Sequence, residues 1–148
     1  MQPIIKKENI LFDVDAKDKN DMIKQMVDSF DKAGYLSDKE QFYKDVLARE
    51  EVFSTNIGYG IGIPHGKSSG AIETGICVAK PKNPVVWSDD GPVDFIIMIA
   101  VSDEGKGELH LQILSKLSRL MMHEEFRNKL KNGTKDEVYE TLIENLEV

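Results

Sequence analysis

The run Asp94-Phe95-Ile96-Ile97-Met98-Ile99-Ala100-Val101 sets the architecture of this chain. After the aspartate, seven apolar residues follow without a polar break. A strand with one wet face alternates in polarity, whereas a strand covered on both faces does not. This run is therefore expected to be the buried centre of a sheet. Asp89-Asp90-Gly91-Pro92 just ahead of it is a turn. Shorter strands are expected at residues 9–12, 61–63, 75–79 and 85–87.

Helical patterns lie on both sides of this β-rich middle. Met22, Ile23, Met26, Val27 and Phe30 share one face of a helix over residues 18–33, and Gly34 is placed to end it. Ser37-x-x-Glu40 has the form of a capping box, followed by Phe42, Tyr43, Val46 and Leu47 at helical spacing. That helix should stop near Arg49-Glu50-Glu51. After a loop at residues 102–107, Leu109, Ile113, Leu114, Leu117, Leu120 and Met121 predict a strong amphipathic helix. Thr134-x-x-Glu137 caps a last one that buries Val138, Tyr139, Leu142, Ile143 and Leu146. Helices at both ends, strands between them and long crossovers give an α/β fold: one domain over residues 1–148, with a mixed sheet of about five strands flanked by helices.

Composition narrows the function. The chain has 148 residues, 41% hydrophobic and 30% charged, enough for a single core. Its longest apolar run, residues 95–101, is far below the ~18 residues of a membrane span. Ile4-Ile5 passes at once into Lys6-Lys7-Glu8, unlike a signal peptide. A lone cysteine, Cys77, excludes an internal disulfide framework and fits a reducing, cytoplasmic setting. A net charge of -7, with the signs intermixed, argues against a nucleic-acid partner.

Chemistry concentrates in Gly58-Tyr59-Gly60-Ile61-Gly62-Ile63-Pro64-His65-Gly66. Glycines let main-chain N–H groups approach a ligand closely, and Pro64 holds Ile63 extended, so His65 is expected just past a stiff strand end. Two readings stand: an imidazole presented from a rigid loop as nucleophile or ligand, or a glycine turn with an incidental histidine. Arg49 precedes this window by way of Ser54-Thr55-Asn56. Its guanidinium suits a phosphoryl group, with neighbouring hydroxyls adding neutral hydrogen bonds, or else a salt bridge with Glu50 or Glu51.

The other histidines are His110 and His123. His110 sits in the first turn of its helix, where the dipole favours anions and disfavours a charged ring. It is either a neutral donor to a phosphoryl oxygen or a solvated helix start. His123 is expected to end that helix and to be structural. On one unbroken helix the two would point about 220° apart, and no metal-ligand spacing such as C-x₂-C or H-x₃-H occurs. Cys77, between Ile76 and Val78, is a small core residue. No G-x-S-x-G or Walker sequence is present.

Taken together, Arg49-Glu50, Ser54-Thr55-x-x-Gly58, Gly60-Ile61-Gly62-Ile63-Pro64-His65-Gly66, Pro92-Val93 and His110-Leu111 resemble the fructose/mannitol class of IIA components of the bacterial sugar phosphotransferase system. The likeness covers essentially the whole chain in order and spacing. One departure is Gly62, where the family usually has alanine.

The resemblance implies a phosphocarrier without metal or organic cofactor. His65 would accept a phosphoryl group at Nε2 from the histidine of HPr and pass it to a cysteine of a IIB domain. That domain in turn phosphorylates sugar moving through a membrane IIC component. His110 would stabilise the phosphoryl group, with Arg49 and Thr55 binding it. Cys77 matches no IIB nucleophile. Ile57, Tyr59 and Ile61 are expected to help form the protein–protein contact. Gly-Ile-Pro-His-Gly-Lys-Ser is closer to fructose-type and nitrogen-regulatory members than to mannitol-type ones. Two alternatives remain: a nitrogen-regulatory signalling protein that acts by phosphorylation-dependent binding, and an unrelated metal-dependent hydrolase.

Overall fold

The computed structural model describes residues 2–103 and 107–146, with side chains of the second stretch described from Leu111 onward. The chain divides into two compact units, Met1–Gly105 and Lys106–Val148.

The first unit runs β1 (Ile5–Val14), α1 (Lys19–Lys32), α2 (Lys39–Val52), β2 (Asn56–Gly58), β3 (Ile61–Gly62), β4 (His65–Ser68), β5 (Gly75–Pro81), β6 (Val85–Ser88), β7 (Gly91–Val93) and β8 (Phe95–Ser102). Its main sheet has the order β1-β5-β8-β3-β2, and β4 also pairs with β8. The β1–β5, β3–β8 and β4–β8 pairs are parallel, while β5–β8 and β2–β3 are antiparallel. β3 and β4 occupy one lane: Ile61 and Gly62 lie opposite Phe95 and Ile96, and His65 resumes opposite Ile99. Pro64, which has no N–H to offer, falls in the break, and its carbonyl accepts the Ile99 amide at 3.0 Å. The expected mixed sheet is thus present.

β8 is buried at all eight positions, which accounts for its unbroken apolar sequence. Alternate residues Ile96, Met98 and Ala100 join Cys77 and Ala79 of β5, the α1 face Met22-Ile23-Met26-Val27-Phe30, and Phe42 and Val46 of α2 in one core. Phe30 packs edge-on against Tyr35 and Phe42, with centroids 5.4 and 6.0 Å apart. Each such side chain contributes about 1.5–3 kcal/mol when fully buried.

α1 matches its expected bounds closely. Asp18 caps it through the Asp21 amide, and the end is a Schellman turn. There Tyr35 N–H donates to the Phe30 carbonyl and Gly34 N–H to that of Asp31, with Gly34 at φ +88°. α2 corrects an expectation, because its N-cap is Asp38, which accepts from the Gln41 amide at 3.1 Å, rather than Ser37. The Ser37 and Asp38 amides both donate to the Gly70 carbonyl, and the Ser37 hydroxyl reaches the Ser69 carbonyl. Ser37 is therefore occupied by a distant segment. β1 also exceeds the expected residues 9–12, since pairing with β5 extends it to Ile5–Val14.

The second unit comprises α3 (Gly107–Leu120), α4 (Glu124–Asn132) and α5 (Lys135–Leu146). Ile113, Leu117 and Met121 are buried, whereas Leu114 and Leu120 are only half-buried. The α5 capping box is present: Thr134 N–H donates to Glu137 Oε1 at 3.0 Å and Glu137 N–H to the Thr134 hydroxyl at 3.2 Å. Val138, Leu142 and Leu146 are buried, with Tyr139 and Ile143 half-buried. α4 was not anticipated, and it moves His123 from the end of one helix to the N-cap of the next, where its side chain makes no cap hydrogen bond. Among the described residues no helix is long and apolar enough to cross a membrane.

Candidate functional site

α2 carries Arg49 and Glu50 in its last turn. Phe42, Val46 and Glu50 are its buried residues, spaced by four, so Glu50 is carried inward with the apolar face. Glu50 is only 8% exposed and is satisfied by three donors. Lys19 Nζ of α1 lies 2.7 Å from Oε2, the Thr55 amide donates to Oε2 at 3.3 Å, and the Thr55 hydroxyl donates to Oε1. Trp87 Nε1 donates to the Thr55 hydroxyl oxygen at 3.4 Å, while Lys19 also donates to the Trp87 carbonyl at 3.1 Å. Arg49 Nη1 donates to the Phe53 carbonyl at 2.6 Å, and Arg49 makes no ion pair among the described residues, so the salt bridge to Glu50 or Glu51 is not formed.

From Thr55 the chain enters the β2–β3 hairpin. Asn56 anchors it by donating to the Ser88 hydroxyl at 3.3 Å and the Gly91 carbonyl at 3.2 Å, while its Oδ1 accepts the Gly58 amide at 3.0 Å. At the tip, Gly58, Tyr59 and Gly60 all have positive φ (90°, 60° and 75°), which explains the paired glycines. Tyr59 and Ile57 face solvent, as does Phe53. Ile61, expected at a partner contact, is instead fully buried, because its register opposite Phe95 turns it into the core.

His65 lies three residues past the end of β3, where it also opens β4, and its ring is half-buried. Nδ1 lies 2.9 Å from the Ile63 carbonyl oxygen. A carbonyl can only accept, so Nδ1 holds the proton and the neutral ring carries its lone pair on Nε2. Burial holds the imidazole below its ordinary value of 6.5; the Ile63 hydrogen bond opposes this, the Arg49 charge adds to it, and the Glu50 charge opposes it. The ring is accordingly neutral at pH 7. The Ile63 amide in turn donates to the Thr55 carbonyl at 3.0 Å.

The structure thus gathers Arg49, Thr55 and His65 on adjoining segments of the first unit. Thr55 is 5% exposed, and its hydroxyl proton is given to Glu50, so direct contact with a phosphate would require it to leave that carboxylate. The side chain of His110 lies outside the described residues. Cys77 is fully buried in the core, and burial pushes its thiol up to about 12. Glu50, Lys19 and Trp87 were not anticipated as part of the site. The spacing of Phe42, Val46 and Glu50 was the available signal for the first of them.

Residues 3–145 match the family model described as phosphoenolpyruvate-dependent sugar phosphotransferase system, EIIA 2. The chain is 36% identical over 143 residues to multiphosphoryl transfer protein 2 of Escherichia coli, covering 97% of this chain but 17% of that protein. It is also 38% identical over 118 residues to the PTS system fructose-specific EIIA component of Haloferax volcanii, covering 78% of this chain and 76% of that one. Among solved structures, nitrogen regulatory protein IIA-Ntr of Neisseria meningitidis superposes with a TM-score of 0.84 at 27% identity, over 94% of this chain and 96% of the other.

Proposed function

The chain belongs to the phosphoenolpyruvate-dependent sugar phosphotransferase system EIIA 2 family, and on that footing we propose that it is a phosphocarrier acting through His65. The family match extends over both compact units, which supports reading them as one functional module. The phosphoryl donor is the phosphohistidine of HPr, and the acceptor is a cysteine of a IIB domain serving a membrane IIC transporter.

The observation that carries this reading is the Nδ1–H bond to the Ile63 carbonyl. It leaves Nε2 as the nucleophilic nitrogen. In the first transfer the Nε2 lone pair attacks phosphorus in line with the donor's N–P bond. As the Nε2–P bond forms, the donor ring, protonated on its other nitrogen, leaves with the N–P electron pair as neutral imidazole. His65 keeps its Nδ1 proton on the Ile63 carbonyl, so its ring is cationic beside the phosphoryl group. In the second transfer a IIB thiolate attacks phosphorus, a P–S bond forms, and the N–P electrons return to Nε2. Such transfers depend on positioning and charge stabilisation more than on strong bases.

In this reading Arg49 binds the phosphoryl oxygens, exchanging the Phe53 carbonyl for them; the effect of its charge on the His65 ring supports this role. His110 is the second stabilising group in this reading. Thr55 supports the turn from behind while its hydroxyl remains on Glu50. The name of the Haloferax relative, together with Gly62-Ile63-Pro64-His65-Gly66-Lys67-Ser68, supports a fructose-type sugar.

A second reading draws on the likeness to IIA-Ntr: phosphorylation of His65 would govern binding to a regulatory target rather than feed transport. One experiment tests both. The protein is incubated with phosphoenolpyruvate, enzyme I and HPr, and a fructose-type IIB domain is then added. Label reaching IIB supports the transport carrier. Label held on His65 and refused by IIB favours the regulatory reading, and no label at all defeats both.

A further inference from the structure

Four contacts lead from helix α1 to the imidazole. Lys19 holds Glu50 at 2.7 Å, Glu50 accepts both the amide and the hydroxyl of Thr55, the Thr55 carbonyl accepts the Ile63 amide at 3.0 Å, and the Ile63 carbonyl accepts His65 Nδ1 at 2.9 Å. Arg49 is tied to the same turn through the Phe53 carbonyl. We propose that Glu50 is a positioning residue for both His65 and Arg49. Its buried carboxylate, held by Lys19, clamps residue 55 and thereby fixes the carbonyl that orients the imidazole and the turn that orients the guanidinium.

A buried ion pair is a poor device for stability alone, since well-packed apolar residues commonly do as well or better. What a carboxylate does supply is several acceptor sites on two oxygens, enough to take an ammonium, an amide and a hydroxyl together. An apolar residue at position 50 would leave the Lys19 ammonium and the Thr55 amide without that acceptor. The segment from residue 53 to residue 55 would then be free to shift against β3. Displacement there passes directly to Ile63, because no side chain intervenes between the Thr55 carbonyl and the Ile63 amide. Glu50 touches neither the ring nor a phosphoryl group in this scheme; it positions them through Thr55, beside the direct effect of its charge on the imidazole.

The inference rests on the phosphocarrier reading, yet one of its measurements does not need phosphate. Glu50→Gln keeps the size of the side chain while removing the charge that holds Lys19 and one of the two acceptor oxygens. Thermal melting reports folding, long-range ¹H–¹⁵N spectra of the unphosphorylated protein report the His65 tautomer, and labelling through phosphoenolpyruvate, enzyme I and HPr reports rate. In the folded variant we expect an Nε2–H population to appear. We also expect phosphorylation to slow by roughly ten- to a hundredfold, the scale on which small misplacements of reacting groups act. A folded Glu50→Gln with the unmodified tautomer and rate overturns the proposal. If Glu50→Gln does not fold, Thr55→Val removes the hydroxyl's bond to Glu50, together with the one it accepts from Trp87, and keeps the amide link: a mixed tautomer supports the relay, and retention of pure Nδ1–H overturns it. Absence of label on the unmodified chain defeats the phosphocarrier reading, while the tautomer comparison still judges Glu50.

Discussion

The Nδ1 atom of His65 lies 2.9 Å from the carbonyl oxygen of Ile63, a residue only two positions back. Pro64 stands between them and makes the short closure rigid, since its φ is preset by the ring. The immediate partner of the imidazole is thus a main-chain carbonyl within three consecutive residues, and the Ile63 amide is in turn held by the Thr55 carbonyl.

The first prediction follows from that closure. Phosphate should be found on Nε2 of His65, and His65→Ala should reduce labelling to background. His110→Ala should keep the label on His65 while passing it on more slowly. Mass spectrometry at neutral or alkaline pH, after incubation with enzyme I, HPr and phosphoenolpyruvate, locates the label. Its persistence in His65→Ala would reassign the acceptor.

A second prediction concerns pH. His65 titrates below its ordinary 6.5, chiefly through burial. Phosphoryl acceptance should therefore be flat around neutrality and fall only as pH drops through the lowered value, when Nε2 becomes protonated. For stability the sign is the same. Between the two values the unfolded chain binds more protons than the folded one, so acidification below 6.5 should lower the melting temperature. A His65→Gln variant should lose that part of the pH dependence. An NMR titration of His65 with a midpoint above 6.5 would contradict both statements.

Arg49 should matter to rate far more than to folding. Its described hydrogen bond is to the Phe53 carbonyl, near the surface. A charge-assisted hydrogen bond is worth about 1.5–3 kcal/mol, so Arg49→Ala should slow transfer by roughly ten- to a hundredfold. Arg49→Lys should recover only part of this, because an ammonium lacks the bidentate fork. Single-turnover phosphorylation kinetics equal to those of the unmodified protein would reduce Arg49 to a loop clasp.

The cap of α2 gives a prediction about stability. Asp38→Ala removes the acceptor of the Gln41 amide and should cost about 1 kcal/mol, whereas Ser37→Ala should stay within about 0.5 kcal/mol. Urea unfolding of the two variants distinguishes them. Equal losses would return the cap to Ser37.

These corrections show where sequence reasoning reached and where it stopped. Elements whose pattern is local were legible: the unbroken apolar run of β8, the stripe and Schellman end of α1, the Thr134–Glu137 box. His65 and Arg49 were legible because glycine, proline and charge mark them within a few residues of one another. Ser37 and Asp38 were not separable, because the Gly70 carbonyl, which draws in both amides, lies more than thirty positions away. α4 escaped because only Phe126 and Leu130 are buried along it. Lys19 and Glu50 meet across 31 positions, so their pairing left no local trace. Even so, the burial of Glu50 was written in its spacing from Val46.

Cys77, the chain's single cysteine, is sealed between β-strands in the core with its thiol pushed up to about 12. Thiolate is the reactive form, so maleimides and similar reagents should pass this residue by at neutral pH. A cysteine introduced at the exposed Val86, on the β6–β7 hairpin, would then be the only site to take a dye. The protein can carry one fluorophore at a chosen point with every native residue of its core left in place, so that the docking to HPr or IIB expected of the proposed phosphocarrier would be read in real time by energy transfer.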